Sequence, residues 1–460
     1  MLNSEIHQLS ALQLLRLYQQ KKLSPVEVLE STFERIGQLN PDINALYYLD
    51  QESAISQARR SEQRWLKGKP LGLLDGIHTS VKDALPVSGM PVFRGSAAMP
   101  EEGVIADEDC PAVARMKEHG MVIYGKNTMC DFGILPAGYS SRHGITRNPV
   151  NLSYNTGGSS SGATAAVAAG FEPLSLGTDI VGSIRLPASF CGIYGFKPSQ
   201  GRVPYYFPNN PSLVAGPLTR TVSDAALMMN VIARPDDRDF TALPYDATDY
   251  LHGLADPVDK GRIGVITDLG LGIDPDPEVV KRVTEAAEFF AGQGFDVAFL
   301  DAPFKKGDDA CAERYYQVRC FSEFNQCDPA RKQRAEVINE WSSPVPGYTA
   351  EQHYNDWFAM QKLREQTMAL IQNFDFLILP SVPVPAYRAE LPAADTENLF
   401  APWANNFLFN LTGQPGASIP CGETQAGLPV GLQIIGRSLD DQGVLKLSAF
   451  YEKHATTVKH

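Results

Sequence analysis

Strand-like and helix-like stretches alternate along this chain from Ile43 onward. "GIHTSVKD" (76–83) reads as a strand, "PAVARMKEHG" (111–120) as a helix closed by glycine, and "MVIYGKN" (121–127) as a strand directly after it. "EPLSLGTDIVG" (172–182) is again strand then turn. "GRIGVITDLG" (261–270), a helix through "PEVVKRVTEAAEFFAGQG" and "FDVAFLD" (295–301) make a further strand–helix–strand unit. Alternation of this kind predicts an α/β fold, a sheet covered by helices on both faces. Ahead of it, residues 10–40 read as two helices. The second is opened by the capping box Ser24-Pro25-Val26-Glu27 and predicted to stop at Asn40-Pro41. Residues 302–400 are less regular, with a polar helix at 348–374 and a proline-rich strand exit, "LILPSVPVPAY" (377–387).

Composition narrows the function. Of 460 residues, 43% are hydrophobic and 20% charged, so the core needs neither disulfide nor metal to hold it. The net charge of −13 argues against a nucleic-acid footprint. Seven cysteines, an odd number without a C-x-x-C pair, read as reduced intracellular thiols. "MLNSEIHQLS" has no signal-peptide pattern, and no run reaches the roughly 18 apolar residues of a membrane span. The expected location is therefore cytoplasmic. Phosphate-binding glycine motifs are absent, and the eight histidines are scattered without ligand spacing. No cofactor and no metal are expected.

"NTGGSSSGATAAVAAG" (155–170) sets three serines between glycines ahead of a small-residue helix. It is either a turn capping a buried helix or a functional loop at a helix N-terminus. Gly158-Ser159-Ser160-Ser161-Gly162 also matches G-x-S-x-G, but the nucleophile elbow needs a strand before it, and "RNPVNLSYNT" reads as loop. A second turn is more informative. In "LSLGTDIVGSIRLPASFCGIYGFKP" (174–198), Ser183 follows an apolar strand in a Gly-flanked turn, where a hydroxyl and successive backbone N–H groups can meet developing charge. Lys82 ends the strand-like "IHTSV". Stripped of water there, it would lose its proton more easily and could serve as a base.

Together these segments resemble the amidase signature family. The likeness rests on Gly157–Gly162, "GTDIVGSIRLPASFCGIYGFKPS" (177–199) and "GIHTSVKD", with later blocks at "GPLTRTVSDAALMMNVI" (216–232), "NLTGQPGASIPCG" (410–422) and "GLPVGLQIIGR" (427–437). The resemblance implies a central mixed twisted sheet and a single amidase domain over 1–460. Within it, 1–60 would be an N-terminal helical region, 60–235 the signature core, 236–400 a variable substrate-side region and 401–460 a C-terminal core segment. It implies Lys82 as base, Ser159 as a relay on a cis peptide, and Ser183 as nucleophile. The N–H groups of Ile180, Val181, Gly182 and Ser183 would form the oxyanion hole. Ser160 and Ser161 would cap the following helix or brace the loop. Cys130, Asp131, Phe132, Gly133 and Ile134 fall on the segment that shapes the acyl pocket, and "PWANNFLFN" (402–410) is a second candidate wall. The substrate would be a small-molecule amide, with no nucleic-acid or membrane partner and with a homodimer left open.

Two positions depart from the family pattern. Val181 stands where a second glycine is usual, and would be strained if that position needs a positive φ. His78 stands where proline is common, four residues before Lys82 on one strand, and reads as a satisfied core histidine or a modulator of the lysine. Asp131 reads as an ion-pair partner of Arg142 or Arg147 rather than a substrate contact. The leading reading is an amide C–N hydrolase. One rival is the A subunit of a tRNA-dependent amidotransferase. The other is a catalytically weakened scaffold or binding protein, motivated by Val181.

Overall fold

A computed structural model of the protein describes residues 6–206 and 212–455. Eleven strands form one mixed sheet. In chain order they are β1 (Leu46–Leu49), β2 (His78–Lys82), β3 (Val122–Asn127), β4 (Leu174–Asp179), β5 (Tyr194–Lys197), β6 (Val214–Thr219), β7 (Arg262–Val265), β8 (Asp296–Phe299), β9 (Phe376–Pro380), β10 (Gly416–Glu423) and β11 (Pro429–Gly436). Their spatial order is β1-β3-β2-β4-β6-β5-β10-β11-β9-β7-β8. β2 lies parallel to both β3 and β4, and β7 parallel to both β8 and β9. The remaining neighbours are antiparallel. Every residue of β2, β3, β4 and β9 is buried, as strands covered on both faces require.

The helices used below are α1 (Ala11–Gln19), α2 (Pro25–Ile43), α3 (Ser161–Ala168), α4 (Arg185–Cys191), α5 (Ala310–Phe324), α6 (Ala350–Ile371) and α7 (Ala404–Leu411). The capping box of α2 forms as its sequence requires: Ser24 accepts from Glu27 N, and Glu27 returns to Ser24 N at 2.8 Å. Its end differs from expectation. α2 runs through Pro41 to Ile43 and closes on Asn44 at φ 56°. Asn40 holds this last turn, its side chain accepting from Ala45 N and Leu46 N and donating to Leu46 O.

Two parallel strands set the position of the site. Val81 on β2 is in register with Leu176 on β4, so Lys82 and Thr178 emerge at the same carboxyl edge of the sheet. That edge is where open α/β sheets place their ligands. α3 approaches it closely because its residues are small. A Cβ on Gly162 would lie 2.3 Å from Thr128 N and 2.4 Å from Ala45 O, so only glycine fits.

Candidate active site

Lys82 is fully buried, and its Nζ donates to three hydroxyls, Ser159 Oγ, Ser160 Oγ and Thr178 Oγ1, each at 2.8 Å. Burial pushes its ammonium down to about 7, and the nearby Arg94 charge acts in the same direction. The Gly158–Ser159 peptide is cis. Ser160 stands at the N-cap of α3, where its carbonyl accepts from Thr164 N, but its side chain makes no capping bond. Its hydroxyl instead donates to Thr178 O and accepts from Thr178 N, both at 3.2 Å, while also accepting from Lys82. A hydroxyl that has spent its proton on a carbonyl can only accept from the lysine. Ser159 carries no such commitment among the described residues.

The turn after β4 brings Ser183 to this cluster. Ser160 N–H donates to Ser183 O at 3.3 Å. Ser183 Oγ is buried without a hydrogen-bond partner among the described residues. The turn is braced from beneath by Asp179, whose carboxylate accepts from Gly182 N (2.7 Å) and Ile184 N (3.2 Å), from the Arg185 guanidinium (3.0 Å) and from Asn410 Nδ2 (2.9 Å). Arg185 in turn donates to Gln433 Oε1 at 2.7 Å and to Asn410 Oδ1. Burial would raise the Asp179 carboxyl, but Arg185 overrides it and holds the group at about 2. Gly182 N–H is thus already engaged. The N–H groups of Ile180, Val181 and Ser183 donate to no acceptor among the described residues, which leaves them available to a developing oxyanion.

Val181 is not among the residues with positive φ. Gly182 takes the left-handed conformation instead, at φ 129°, with Asn406 where a Cβ would point. Valine therefore costs no backbone strain here, and the motive for a weakened site falls away. His78 is a core histidine. Its Nε2 is shared by Thr32 Oγ1 at 3.1 Å and Phe171 O at 3.0 Å, and burial pushes it down to about 3.

Residues 27–445 match the Amidase family. The chain belongs to the amidase signature family. It is 32% identical to the A subunit of the glutamyl-tRNA(Gln) amidotransferase of Cyanothece sp., over 94% of this chain and 95% of that protein. It is 33% identical to the protein of the same name from Symbiobacterium thermophilum, over 97% and 96%. Among solved structures, a bacterial aryl acylamidase of the amidase signature family superposes with a TM-score of 0.90 at 29% identity, covering 98% of this chain and 97% of that one. The fold class is that of the family, and the chain is an enzyme of amide C–N chemistry.

In this amidase the segment Cys130–Ile134 is buried and packs with Cys320 and Phe324 of α5. Cys130 Sγ is tied to Leu135 N and O, both at 3.3 Å, and burial pushes its thiol up to about 12. Phe132 takes φ 47° and Gly133 φ 76°. Gly133 faces Ser159: a Cβ there would lie 3.2 Å from Ser159 Oγ. Asp131 pairs with neither arginine. It accepts from Ser141 N at 2.8 Å and from Ser141 Oγ, while Arg142 bonds Glu101 and Arg147 bonds Glu390. The Ser141 that reaches Asp131 sits in the turn of the small hairpin of Tyr139–Ser140 and Gly144–Ile145.

Sequence reasoning gave no role to Thr178 or Gln433, and placed Asn410 only within a candidate pocket wall, not beside Arg185. Thr178 carries a signal, since it precedes Asp179 at the strand end. Asn410 and Gln433 carry none, because they meet Arg185 only through the fold. α7 contributes Asn405, Asn406 and Asn410, all buried, behind the Ser183 turn. Among the described residues no group of three or more His, Cys, Asp or Glu is placed to hold a metal, and no helix is long and apolar enough to cross a membrane.

Proposed function

We propose that this amidase hydrolyses small carboxamides through an acyl-enzyme on Ser183. Ser183 Oγ attacks the amide carbonyl carbon, and its proton passes to Ser159 Oγ as the Ser159 proton passes to neutral Lys82 Nζ. The carbonyl oxygen, now negative, is held by the free N–H groups of the Ile180–Ser183 turn. The proton returns through the same relay to the leaving nitrogen, the C–N bond breaks, and water then cleaves the Ser183 ester. The observation that carries this reading is the Lys82 environment: a buried amine whose three partners are hydroxyls, of which only that of Ser160 gives its proton to another acceptor among the described residues. Labelling by a serine-directed fluorophosphonate, mapped to Ser183 and lost in Ser183→Ala, tests it together with ammonia release from a panel of amides. Absence of labelling in the active wild type would overturn the nucleophile assignment.

A second reading is favoured by the amidotransferase proteins among the relatives. In it the same chemistry releases ammonia from glutamine for a partner-bound substrate. Glutaminase activity that appears only on co-purification with partner proteins would select it. Turnover of aryl or aliphatic amides by the isolated chain would select hydrolysis.

A further inference from the structure

A cavity of about 600 Å³ opens beside Phe132 and Arg94, and its lining includes none of Lys82, Ser159 and Ser183. Phe132 forms part of its wall, and the adjoining Gly133 faces Ser159. One peptide unit, ~3.8 Å between Cα atoms, therefore separates the cavity wall from the residue facing the relay serine. The wall carries three guanidinium groups, Arg94, Arg319 and Arg331, against two carboxylates, Glu323 and Asp328. Asp328 is occupied in capping the short helix that follows it, accepting from Ala330 N and Arg331 N. Glu323 is shared: Arg94 Nη1 lies 2.5 Å from one oxygen and Arg319 Nη2 2.9 Å from the other. The cavity thus holds an excess of positive charge in a chain of net charge −13.

Arg94 is fixed from both sides. Phe93 N and Gly95 N donate to the Asp83 carboxylate at 2.8 and 2.6 Å, and Arg94 O accepts from Phe132 N at 2.8 Å. Its backbone sits at φ 51°, and its guanidinium lies 5.6 Å from the centre of the Phe132 ring. The Nε of Arg94 and the Nε of Arg319 are both buried without a hydrogen-bond partner among the described residues. Buried donors left unpaired are costly, and a planar guanidinium fork matches the geometry of a carboxylate.

We propose that this cavity recognises a carboxylate on the substrate, so that the enzyme prefers small amides carrying an anionic group a few bonds from the scissile C–N bond. The substrate carboxylate takes the excess charge of the Arg94–Arg319 pair and competes with Glu323 for it. The proposal rests on the amide-hydrolysis reading for its turnover assays but not for its binding assay.

Ammonia release is measured for succinamate, glutaramate and adipamate, each against the uncharged alkyl amide of equal length. One charged amide should exceed its neutral partner by about tenfold or more in kcat/KM. Arg319→Gln should lower that ratio by a similar factor, and Glu323→Gln, which removes the competing carboxylate, should raise it. A purely structural ion pair would instead shift charged and neutral substrates together in both variants. Calorimetric titration with glutarate, which has no amide to cleave, reads the same cavity without turnover; binding should be present in the wild type and lost in Arg319→Gln. If no amide is hydrolysed while glutarate binding still depends on Arg319, the hydrolase reading fails and the anion site stands. Equal kcat/KM across each pair, with glutarate unbound, overturns the anion site and leaves hydrolysis intact.

Discussion

Lys82, Lys126 and Lys197 are all fully buried, and burial pushes their ammonium groups down to about 7, 8 and 7. By ease of proton loss they are near equivalents, yet their surroundings differ in kind. Lys126 donates to Leu85 O beside the charge of Asp83, and Lys197 donates to Pro198 O at 3.2 Å. Lys82 meets hydroxyls. A carbonyl can only accept, so a neutral lysine beside one has no proton to take. A hydroxyl both donates and accepts, so a neutral lysine beside one is a base with a relay attached. A lowered pKa makes a lysine available, and the partner decides whether it can act.

The largest effect should come from removing the group this relay serves. Ser183→Ala should cut amide turnover by roughly 10⁶-fold, to background, with the circular dichroism spectrum unchanged. Activity close to wild type would place the nucleophile elsewhere. Next is the base itself. Lys82→Ala should cost about 10²–10⁴-fold, and Lys82→Arg should not rescue, because guanidinium stays protonated at any workable pH. In the wild type the active form is the neutral lysine, so kcat/KM should rise with pH through about 7 and then level off. A Lys82→Arg enzyme with normal activity and the same profile would make Lys82 a structural cation and erase the contrast with Lys126 and Lys197.

A smaller effect separates the two serine hydroxyls from one another. Ser160 gives its proton to Thr178 O and holds Lys82 only as an acceptor. Ser160→Ala should therefore lose about 1 kcal/mol of positioning, roughly fivefold in kcat. Ser159→Ala should fall nearly as far as Lys82→Ala. Equal losses at the two serines would show that Ser160 also carries the proton.

What the sequence makes legible follows from distance along the chain. Lys82 at a strand end, the Gly-Ser turn before an alanine-rich helix, and Ser183 after an apolar strand are local patterns, and β-α alternation foretells the covered sheet. Of the two roles expected of Ser160, capping the helix or bracing the loop, its side chain takes the second, because the parallel register of β2 with β4 delivers Lys82 and Thr178 to its hydroxyl. Asn410 and Gln433 lie 225 and 248 residues from Arg185, beyond any local pattern. Arg319 and Glu323, spaced i to i+4 on α5, carry no local mark of a site, and it is the fold that packs Phe324 of the same helix against Phe132.

The smallest catalytic effect is expected at Lys197, which makes it the sharpest control. Lys197→Met should leave kcat and the pH midpoint of kcat/KM unchanged, because its amine donates to a carbonyl and to no hydroxyl among the described residues. Stability against pH should change instead. Folded Lys197 loses its proton near 7, whereas the ordinary lysine value is 10.5. Between those limits the unfolded chain binds more protons than the folded one, so stability rises with pH across that window, by up to about 1.4 kcal/mol per pH unit for one such group. Below about 7 both states are protonated, and the group adds no slope. Methionine removes this contribution, so urea unfolding between about pH 7.5 and 9.5 should show a shallower rise than in the wild type, where Lys82 and Lys126 add their own. A shift of the kcat/KM midpoint away from about 7 in Lys197→Met would mean that the field of a buried lysine, and not its hydroxyl partners, sets the chemistry.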